Sequence, residues 1–322
     1  MRQYIQNLRG CGVEVTEFTA RYKSWPPYNK LWRPLWFPAT LLNRVPGVLK
    51  SHKHDVTLLQ REMVSTLVTL ERFTHGPRVL DVDDAVWLNR DSERGFARLV
   101  RMCDGVICGN HFVEENVRRW KQETLVLPTA VDSDRFCPRS ESSRPGSRPI
   151  IGWSGLGAGL HYILGLETAL AAVMDARKDV VLRVVSEMKP KFRVLDPSRV
   201  EYIPWSPQNE VDTIQEMTIG LMPTEDSLWA RGKCSYKMLL YMSCGVPVVV
   251  SPVGMNSDVL AAGNVGFGAK TDSEWTESIL WLLDNADKAR EMGHAGRKVV
   301  EERYSLRHIV PRLADYLKSF SR

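Results

Sequence analysis

Short apolar runs alternate with helical patterns along almost all of this chain, and that alternation limits the folds open to it. In the helical patterns apolar residues recur every three or four positions, as in Leu160–Ala176. Strands that alternate with helices at this spacing form βαβ units and a parallel sheet, so the sequence predicts a doubly wound α/β protein. The strand-like runs are Val13–Phe18, Val56–Leu59, Arg78–Val82, Gly105–Cys108, Thr124–Leu127, Pro149–Trp153, Val180–Val185, Val200–Ile203, Ile219–Met222 and Val246–Ser251.

The alternation is interrupted once, by the stretch CPRSESSRPGSRP at 137–149, which is rich in Ser, Pro and Arg. Such composition is typical of a linker, and a chain of 322 residues usually forms more than one core. We therefore predict Rossmann-like domains at 1–138 and 148–303 and a C-terminal helix at 304–322. The chain opens on the helix-like RQYIQNLRGCGVEV instead of a strand and a glycine loop, so we expect either a shortened first domain or a native start upstream of Met1.

Three cations stand at the start of a helical pattern in SLWARGKCSYKMLLYMSCGVPVVVSPVGMN, residues 227–256. Arg231 lies in the preceding loop, and Lys233 and Lys237 are four residues apart, which predicts a shared helix face. A helix start offers free N–H groups and the positive end of its dipole, so it binds phosphate readily. The alternative is a solvated basic helix start. We favour the anion site because the cations follow Ile219–Met222 at the strand's carboxyl end, where open α/β sheets bind ligands.

Glycines at 152, 155, 157 and 159 follow another predicted strand, in IIGWSGLGAGLHY. They allow a backbone to approach a ligand closely, which favours a loop beside a phosphate or a sugar. Tight packing alone is a second interpretation, and a nicotinamide site is a third. Two observations argue against the nicotinamide site. The G-x-G-x-x-G register is missing, and the nearest acid after the next strand, Glu187, lies about thirty residues on instead of about twenty.

Acidic residues follow the strand-like run in VLDVDDAVW, where Asp81, Asp83 and Asp84 stand at or after the carboxyl end. Carboxylates at that edge suit the binding of a hydroxyl or the acceptance of a proton. Two alternatives remain: Asp83 as the N-cap of a following helix, and the three acids as ligands of a divalent metal.

The stretch ARYKSWPPYNKLWRPLWFP at 20–38 places basic residues among aromatic ones. Such a mixture suits contact with a membrane surface, although aromatics that pack inward from an irregular loop are an equal alternative. The prolines are expected to forbid one long helix. No recognised nucleic-acid-binding module is visible, so we expect no nucleic acid as a partner. The basic residues are Arg21, Lys23, Lys30 and Arg33, and the aromatic ones are Trp25, Tyr28, Trp32, Trp36 and Phe37.

Composition adds only broad limits. A net charge of +5 permits an anionic ligand or membrane surface but identifies neither. The six cysteines show no metal-ligand spacing and are expected to be free thiols, and none of the seven histidines pairs with a Ser or Cys nucleophile. No apolar run is long enough to cross a bilayer, and the N-terminus lacks a signal-peptide core. These features predict a cytoplasmic protein, with possible peripheral contact at the inner face of the membrane.

With these motifs in order, the chain resembles a glycosyltransferase of the GT-B fold, in the large retaining family 4. The segment TLVLPTAVDSDRFCP at 124–138 looks like the family's inter-domain segment, and MSCGVPVVVSPVGMNSDVL at 242–260 looks like the element beneath its donor site. AAGNVGFGAKTDSEW and MGHAGRKVVEERYS are similar to its C-terminal part. More narrowly, DVDDAVW, GWSG, WARGKCSYKMLLYMSCG and SPVG together resemble a bacterial subgroup linked to surface polysaccharide synthesis.

The resemblance implies two Rossmann-like domains facing a cleft, with a nucleotide-diphosphate sugar held mainly by the second and the last helix crossing back to the first. No cofactor and no metal are implied, because helix ends and cations neutralise the leaving diphosphate. By analogy Asp83 and Asp84 touch acceptor or sugar hydroxyls as the catalytic pair. The implied donor-binding residues are Gly155, Asp226, Arg231, Lys233, Lys237, Gly254 and Asn256.

The sequence departs from the family at its donor-site pair of glutamates, which stand seven residues apart. The second position falls on Leu240 here, and Glu225 or Asp226 would have to substitute from the loop 223–232. The expected function is a metal-independent, hexosyl-type transferase that moves a sugar to a hydroxyl of a glycan or lipid-linked acceptor with retention. A degenerate, non-catalytic binder of nucleotide sugar or glycan is the alternative, and a sugar-nucleotide epimerase of the same fold is a third.

Overall fold

A computed structural model describes residues 2–22, 24–65, 67–89, 93–139 and 148–321. Positions 140–147 of the predicted linker, and Lys23 of the aromatic stretch, lie outside the described residues. The strands are β1 (Thr57–Gln60), β2 (Arg78–Val82), β3 (Gly105–Cys108), β4 (Thr124–Val126), β5 (Ile150–Ser154), β6 (Val181–Ser186), β7 (Val200–Pro204), β8 (Ile219–Met222), β9 (Val248–Val250) and β10 (Gly266–Gly268). The α-helices are α1 (Ile5–Gly10), α2 (Arg33–Ser51), α3 (Glu93–Met102), α4 (His111–Val117), α5 (Leu160–Leu164), α6 (Glu167–Ala176), α7 (Glu210–Gln215), α8 (Leu228–Arg231), α9 (Tyr236–Ser243), α10 (Met255–Ala261), α11 (Asp272–Asp284), α12 (Ala286–Arg303) and α13 (Leu306–Lys318).

The chain divides into two compact units, each built on one parallel sheet, and the prediction of two doubly wound α/β domains is confirmed. The boundary lies between Thr129 and Ala130, ahead of the predicted linker. Two later segments also belong to the first unit. Unit 1 consists of Met1–Thr129, Arg231–Cys234 and Arg307–Arg322, and unit 2 of Ala130–Ala230 and Ser235–Leu306.

In unit 1 the strands stand in the order β1-β2-β3-β4, with Thr57 opposite Arg78 at the start of the β1–β2 ladder. Val79 and Val106 are fully buried, because both faces of a parallel sheet are covered by helices. Helix α13 packs at the start of β3, where a side chain on Gly105 would lie 2.5 Å from Tyr316.

In unit 2 the strand order is β10-β9-β8-β5-β6-β7. From β5 the chain first builds the sheet outward through β6 and β7, and then adds β8, β9 and β10 on the opposite side. The order therefore reverses between β5 and β8, and their carboxyl ends flank the topological switch point where sheets of this kind bind ligands. The core around β5 is large and buried, and includes Trp153, Leu182 and Ile219.

Nine of the ten predicted strands are present, and Val13–Phe18 is wrong: it forms no strand ladder with the described residues. Its alternating apolar pattern requires a neighbouring strand, and β1 at that sheet edge pairs only with β2 among the described strands. Strand β10 was missed because two of its three residues are glycine. Glycine is required there, since Gly266 has a φ of +153° and a Cβ would lie 1.9 Å from the carbonyl oxygen of Val248.

Two helix expectations also need correction. The predicted helix Leu160–Ala176 is divided into α5 and α6, which meet at 58° where Gly165 weakens the helix. Conversely, α2 continues through Pro38 and Pro46, against the expectation that prolines forbid a long helix. Each proline removes one helical hydrogen bond, but both prolines are exposed, so water can reach the backbone that loses its partner.

No single helix within the described ranges is long and apolar enough to cross a membrane; only the bent pair Gly157–Leu164 and Glu167–Ala176, taken together, reaches that length and composition.

Candidate active site

The glycine loop of unit 2 begins at the end of β5, beside the switch point. The N–H of Gly155 donates to the carbonyl oxygen of Val185 at 3.0 Å, which holds the loop to β6. On the side of β8 the strands have already diverged, since β5 pairs with β8 only at Ile151 and Gly152. There the N–H of Ser154 donates to the hydroxyl of Tyr241 at 2.8 Å, and both groups are buried.

Gly155 cannot carry a side chain in this arrangement. A Cβ would lie 2.6 Å from the buried indole of Trp153 and 2.5 Å from Nζ of Lys237. The Lys237 ammonium itself stands over the Trp153 ring, 4.7 Å from its centroid, in a cation–π contact. The structure thus brings together two of the predicted donor-binding residues, Gly155 and a lysine in the first turn of α9.

Glu187 also reaches the glycine loop, which sequence reasoning did not predict. The backbone N–H of Gly157 donates to its carboxylate and holds the pKa of Glu187 below its ordinary value, and the charge of Lys237 lowers that pKa further. The loop N–H therefore already carries an anionic group. Glu187 stands just after β6, so the rule that ligands gather at the carboxyl edge would have indicated it.

The loop after β8 forms the other side of the switch point. The N–H of Thr224 donates to Oγ of Ser251 at 3.0 Å, which ties this loop to the end of β9. Burial raises the pKa of Tyr162, and the neighbouring carboxylate of Glu225 raises it further. Asp226 is an exposed residue of the same loop.

Gly254 and Asn256 shape the turn between β9 and α10. Gly254 has a φ of +54°, which favours glycine. Asn256 is only 2% exposed, and its Nδ2 donates to the carbonyl oxygen of Ser251 at 2.9 Å. Its Oδ1 is buried without a donor among the described residues. Asn256 therefore fixes the backbone of Ser251, whose hydroxyl accepts the N–H of Thr224 from the neighbouring loop.

The prediction that Lys233 and Lys237 share a helix face is wrong. Ser235 has left-handed backbone angles, with φ 50° and ψ 27°, and α9 begins only at Tyr236. Lys237 therefore lies in the helix of unit 2, whereas Arg231 and Lys233 belong to the segment of unit 1.

In unit 1 the predicted pair Asp83 and Asp84 follows β2 and binds Arg61, which follows β1. The guanidinium of Arg61 donates to Asp83 Oδ1 from Nε at 2.8 Å and to Asp84 Oδ2 at 2.7 Å. Arg61 has a φ of +62°, a backbone conformation that side chains other than glycine rarely adopt. Such strain is often found at functional sites. Sequence reasoning missed Arg61, although it too follows a strand at the carboxyl edge.

The structure supports neither the N-cap nor the metal-ligand interpretation of these acids. The short helical turn after Asp84 has no side-chain cap, so Asp83 is not an N-cap there. Within the described part of the chain, no group of three or more His, Cys, Asp and Glu side chains is arranged to hold a metal ion. The two carboxylates instead form an ion-pair cluster with one arginine.

The electrostatics of the cluster differ between its acids. Burial raises the pKa of Asp81 to about 7, with a further contribution from the charge of Asp83, while Arg61 opposes the shift. Burial also raises the pKa of Asp84, against which the charges of Arg61 and Lys233 act. Asp81 and Asp84 are therefore both protonated more easily than an ordinary aspartate.

Asn110 fixes the basic segment 231–234 within unit 1. Its Nδ2 donates to the carbonyl oxygens of Arg231 at 3.1 Å and Lys233 at 3.0 Å, while its Oδ1 accepts the N–H of Val113 as the N-cap of α4. Sequence reasoning missed this residue, although Asn directly after the strand in GVICGN is a typical N-cap.

Cys234 adds a second attachment of the same segment. Burial raises the pKa of its thiol to about 12, so the S–H is retained, and it donates to the carbonyl oxygen of Asp83 at 3.2 Å. Gly109 and Gly232 permit this close packing, since a Cβ on Gly109 would lie 2.4 Å from the sulfur and one on Gly232 would lie 2.6 Å from the Cβ of Ala85. The structure thus places Lys233 beside the carboxylates of unit 1.

Comparison with known proteins supports the fold. Residues 149–285, from β5 to the end of α11, match the family model described as glycosyl transferases group 1. The sucrose-phosphate synthase of Thermosynechococcus elongatus is similar over 99% of this chain and 92% of its own, with a TM-score of 0.72 and 16% identity. The fold is that of the GT-B glycosyltransferases.

Two further solved structures have the same fold. The Anabaena protein HepE, in complex with UDP-glucose, is 16% identical with a TM-score of 0.69, covering 98% of this chain and 88% of its own. A glycosyltransferase of Rickettsia africae is 12% identical with a TM-score of 0.67, covering 98% and 87%. No curated protein matches the sequence at a significant level.

Proposed function

We propose that this protein is a glycosyltransferase that moves a hexosyl group from a nucleotide-diphosphate sugar to a hydroxyl of a glycan or lipid-linked acceptor. The sugar is transferred with retention of configuration, without a metal ion, in the cytoplasm and in the synthesis of a polysaccharide. The role in polysaccharide synthesis rests on the motifs that resemble the bacterial subgroup, and retention of configuration rests on the resemblance to family 4.

One observation carries the proposal. The segment that matches the group 1 family contains the switch point of unit 2, where Gly155, lacking a side chain, leaves room for the ammonium of Lys237 over the ring of Trp153. A cation held at the carboxyl edge suits a phosphate. HepE, of the same fold, was solved with UDP-glucose. The donor diphosphate is accordingly assigned to this loop, with Asp226, Gly254 and Asn256 shaping its surroundings.

The chemistry required of the donor side is charge neutralisation. The bond between the sugar's anomeric carbon and the phosphate oxygen breaks, and the nucleoside diphosphate departs with the electron pair. Cations already in place stabilise that developing charge without reorganisation. Lys237 of unit 2 supplies one such cation. Arg231 and Lys233 are assigned the same role because of the family resemblance.

Asp83 and Asp84 are assigned to the acceptor or sugar hydroxyls. An ionised carboxylate accepts a hydrogen bond from a hydroxyl and can receive its proton as the new bond to the anomeric carbon forms. Arg61 would hold both carboxylates in place, since its guanidinium contacts each of them. We assign Arg61 as a positioning residue.

The direct test is release of nucleoside diphosphate from a panel of UDP-, GDP- and ADP-sugars with polyprenyl-linked and soluble glycan acceptors. We expect one donor class to be turned over only when acceptor is present. The anomeric configuration of the product then tests retention. Binding of a nucleotide sugar without turnover of any donor would favour the non-catalytic alternative.

Lys233→Ala tests the proposed role of the basic segment. Loss of one charge-assisted hydrogen bond is expected to weaken binding of the nucleoside diphosphate by about 1.5–3 kcal/mol, or about 10- to 150-fold. Isothermal titration with UDP and GDP measures it, and Lys288→Ala on the exposed surface of α12 is the control. Unchanged affinity for both nucleotides would place the phosphates elsewhere.

A further inference from the structure

The outward side of α2 is apolar, which is the reverse of an ordinary surface helix. Leu35, Leu42 and Leu49 are 66%, 71% and 65% exposed. They are seven residues apart, so they lie on one side of the helix. Thr40 and Val48, on the other side, are buried. The exposed side thus presents a row of leucines along the whole helix to solvent.

The segment that leads into α2 continues the apolar surface with aromatic side chains. Trp25 is 53% exposed, Trp32 61% and Tyr28 fully exposed, and Leu31 is 84% exposed. The alternative interpretation, in which the aromatics pack inward, is therefore wrong for Trp25, Tyr28 and Trp32. We call Trp25, Tyr28, Leu31, Trp32, Leu35, Leu42 and Leu49 the docking face. Exposed apolar patches of this kind mark interaction sites.

The charged side chains of the sequence stretch that carries the docking face have one sign. The chain has 38 acidic residues in 322, yet none falls between Glu17 and Asp55. Over the same stretch the lysine and arginine side chains are numerous. They are Arg21, Lys23, Lys30, Arg33, Arg44, Lys50 and Lys53. A partner of the docking face therefore has to be apolar and negatively charged.

We propose that the docking face binds the surface of an anionic lipid bilayer. Leucines in a helix parallel to the membrane enter the acyl boundary, Trp and Tyr rings suit the headgroup level, and long cationic side chains reach the lipid phosphates. A second copy of this chain fits poorly, because a two-fold contact would set the same positive segment against itself. Nucleic acid would satisfy the cations but leave the leucines unburied.

The proposal extends the proposed function to an acceptor held in the membrane. Vesicle binding is nevertheless measured without donor or acceptor, so either proposal can fail while the other stands. The probe is flotation of the full chain with vesicles of phosphatidylcholine containing roughly one-third phosphatidylglycerol, against phosphatidylcholine alone. We expect binding to the anionic vesicles, little to the neutral ones, and release at high salt.

Two sets of variants separate the contributions of the leucines and of the cations to vesicle binding. The triple variant Leu35→Ser, Leu42→Ser and Leu49→Ser removes the exposed leucines without touching a buried group. We expect it to lower the partition onto anionic vesicles by more than about tenfold. Neutralising the cations around the face, in the triple variant Lys30→Gln, Lys50→Gln and Lys53→Gln, should give a loss of similar size and remove the salt dependence.

Control variants change other exposed residues, outside the docking face. Leu67→Ser, Leu88→Ser and Val194→Ser together test loss of apolar surface, and Lys178→Gln, Lys288→Gln and Lys298→Gln together test loss of charge; both should bind vesicles as the parent does. Circular dichroism and urea unfolding confirm that each variant is folded.

Three results would overturn the proposal. The first is equal binding to neutral and anionic vesicles, or binding to neither. The second is equal loss in the docking-face and control variants. The third is a dimer of the parent chain that the leucine variant converts to a monomer with vesicle binding unchanged, which would assign the face to a second copy.

Discussion

Replacing Tyr241 by Phe tests how the core of unit 2 fixes its glycine loop. The hydroxyl of Tyr241 accepts the N–H of Ser154 at 2.8 Å, at the point where β8 no longer pairs with β5. The ring packs on the backbone of β8, since a Cβ on Gly220 would lie 2.5 Å from it. Phe therefore keeps the same packing and loses only the hydrogen bond.

The expected loss is about 1–3 kcal/mol in the free energy of unfolding, because the buried N–H of Ser154 is left without a partner. Urea unfolding should show a lower midpoint with an unchanged slope. Affinity for the nucleoside diphosphate should fall as well, since Ser154 immediately precedes Gly155. Tyr202→Phe, on the outer strand β7, is the control and should change stability by less than about 0.5 kcal/mol.

A variant as stable as that control would refute this account. It would mean that water or a local shift supplies Ser154 with another acceptor. An altered slope would instead indicate that the unfolding transition itself had changed.

Two further predictions concern unit 1. Asp81 has a folded pKa of about 7, above its unfolded value, so the folded state binds more protons and stability falls as pH rises from about 4 to about 7. Asp81→Asn should therefore be more stable than the parent by about 2 kcal/mol at pH 8, which is roughly half the full linkage value because the side chain is partly exposed. Near pH 4 the variant and the parent should be equally stable. A stability difference in urea unfolding that stays constant across that pH range would contradict the raised pKa of Asp81. Asn110→Ala should lose about 1 kcal/mol of capping energy that Asn110→Ser retains. Both variants should speed tryptic cleavage at Arg231 and Lys233, because both lose the bonds to those carbonyls; cleavage at the parent's rate in Asn110→Ser would show that Cys234 alone anchors the segment.

Much of the fold could be read from local pattern. Buried parallel strands are continuous apolar runs, and β2, β3 and β8 lie at the positions that their runs predict. The failures have local causes as well. Val13–Phe18 alternates as a strand does, but a strand forms only where a neighbour supplies its hydrogen bonds, and that neighbour is not encoded in the run itself.

The candidate site was predicted in part. Gly155 and Lys237 were identified from motif and charge, and the structure brings them together on one indole ring. Arg61 and Asn110 were missed, because their importance depends on partners at distant positions in the chain. Arg61 acts through Asp83 and Asp84, and nothing in its own neighbourhood of the sequence identifies that contact.

The sequence by itself determined the alternation of strands and helices, the glycine-bearing turns and the acid-free aromatic stretch, because periodicity, backbone freedom and charge are properties of neighbouring residues. Only the tertiary structure decided that Lys233 leaves the helix of Lys237 at a left-handed Ser235, and that the leucines of α2 face outward. Both depend on which surfaces the rest of the chain covers. Burial and long-range hydrogen bonds are set by the packing of distant segments, which a local pattern does not contain.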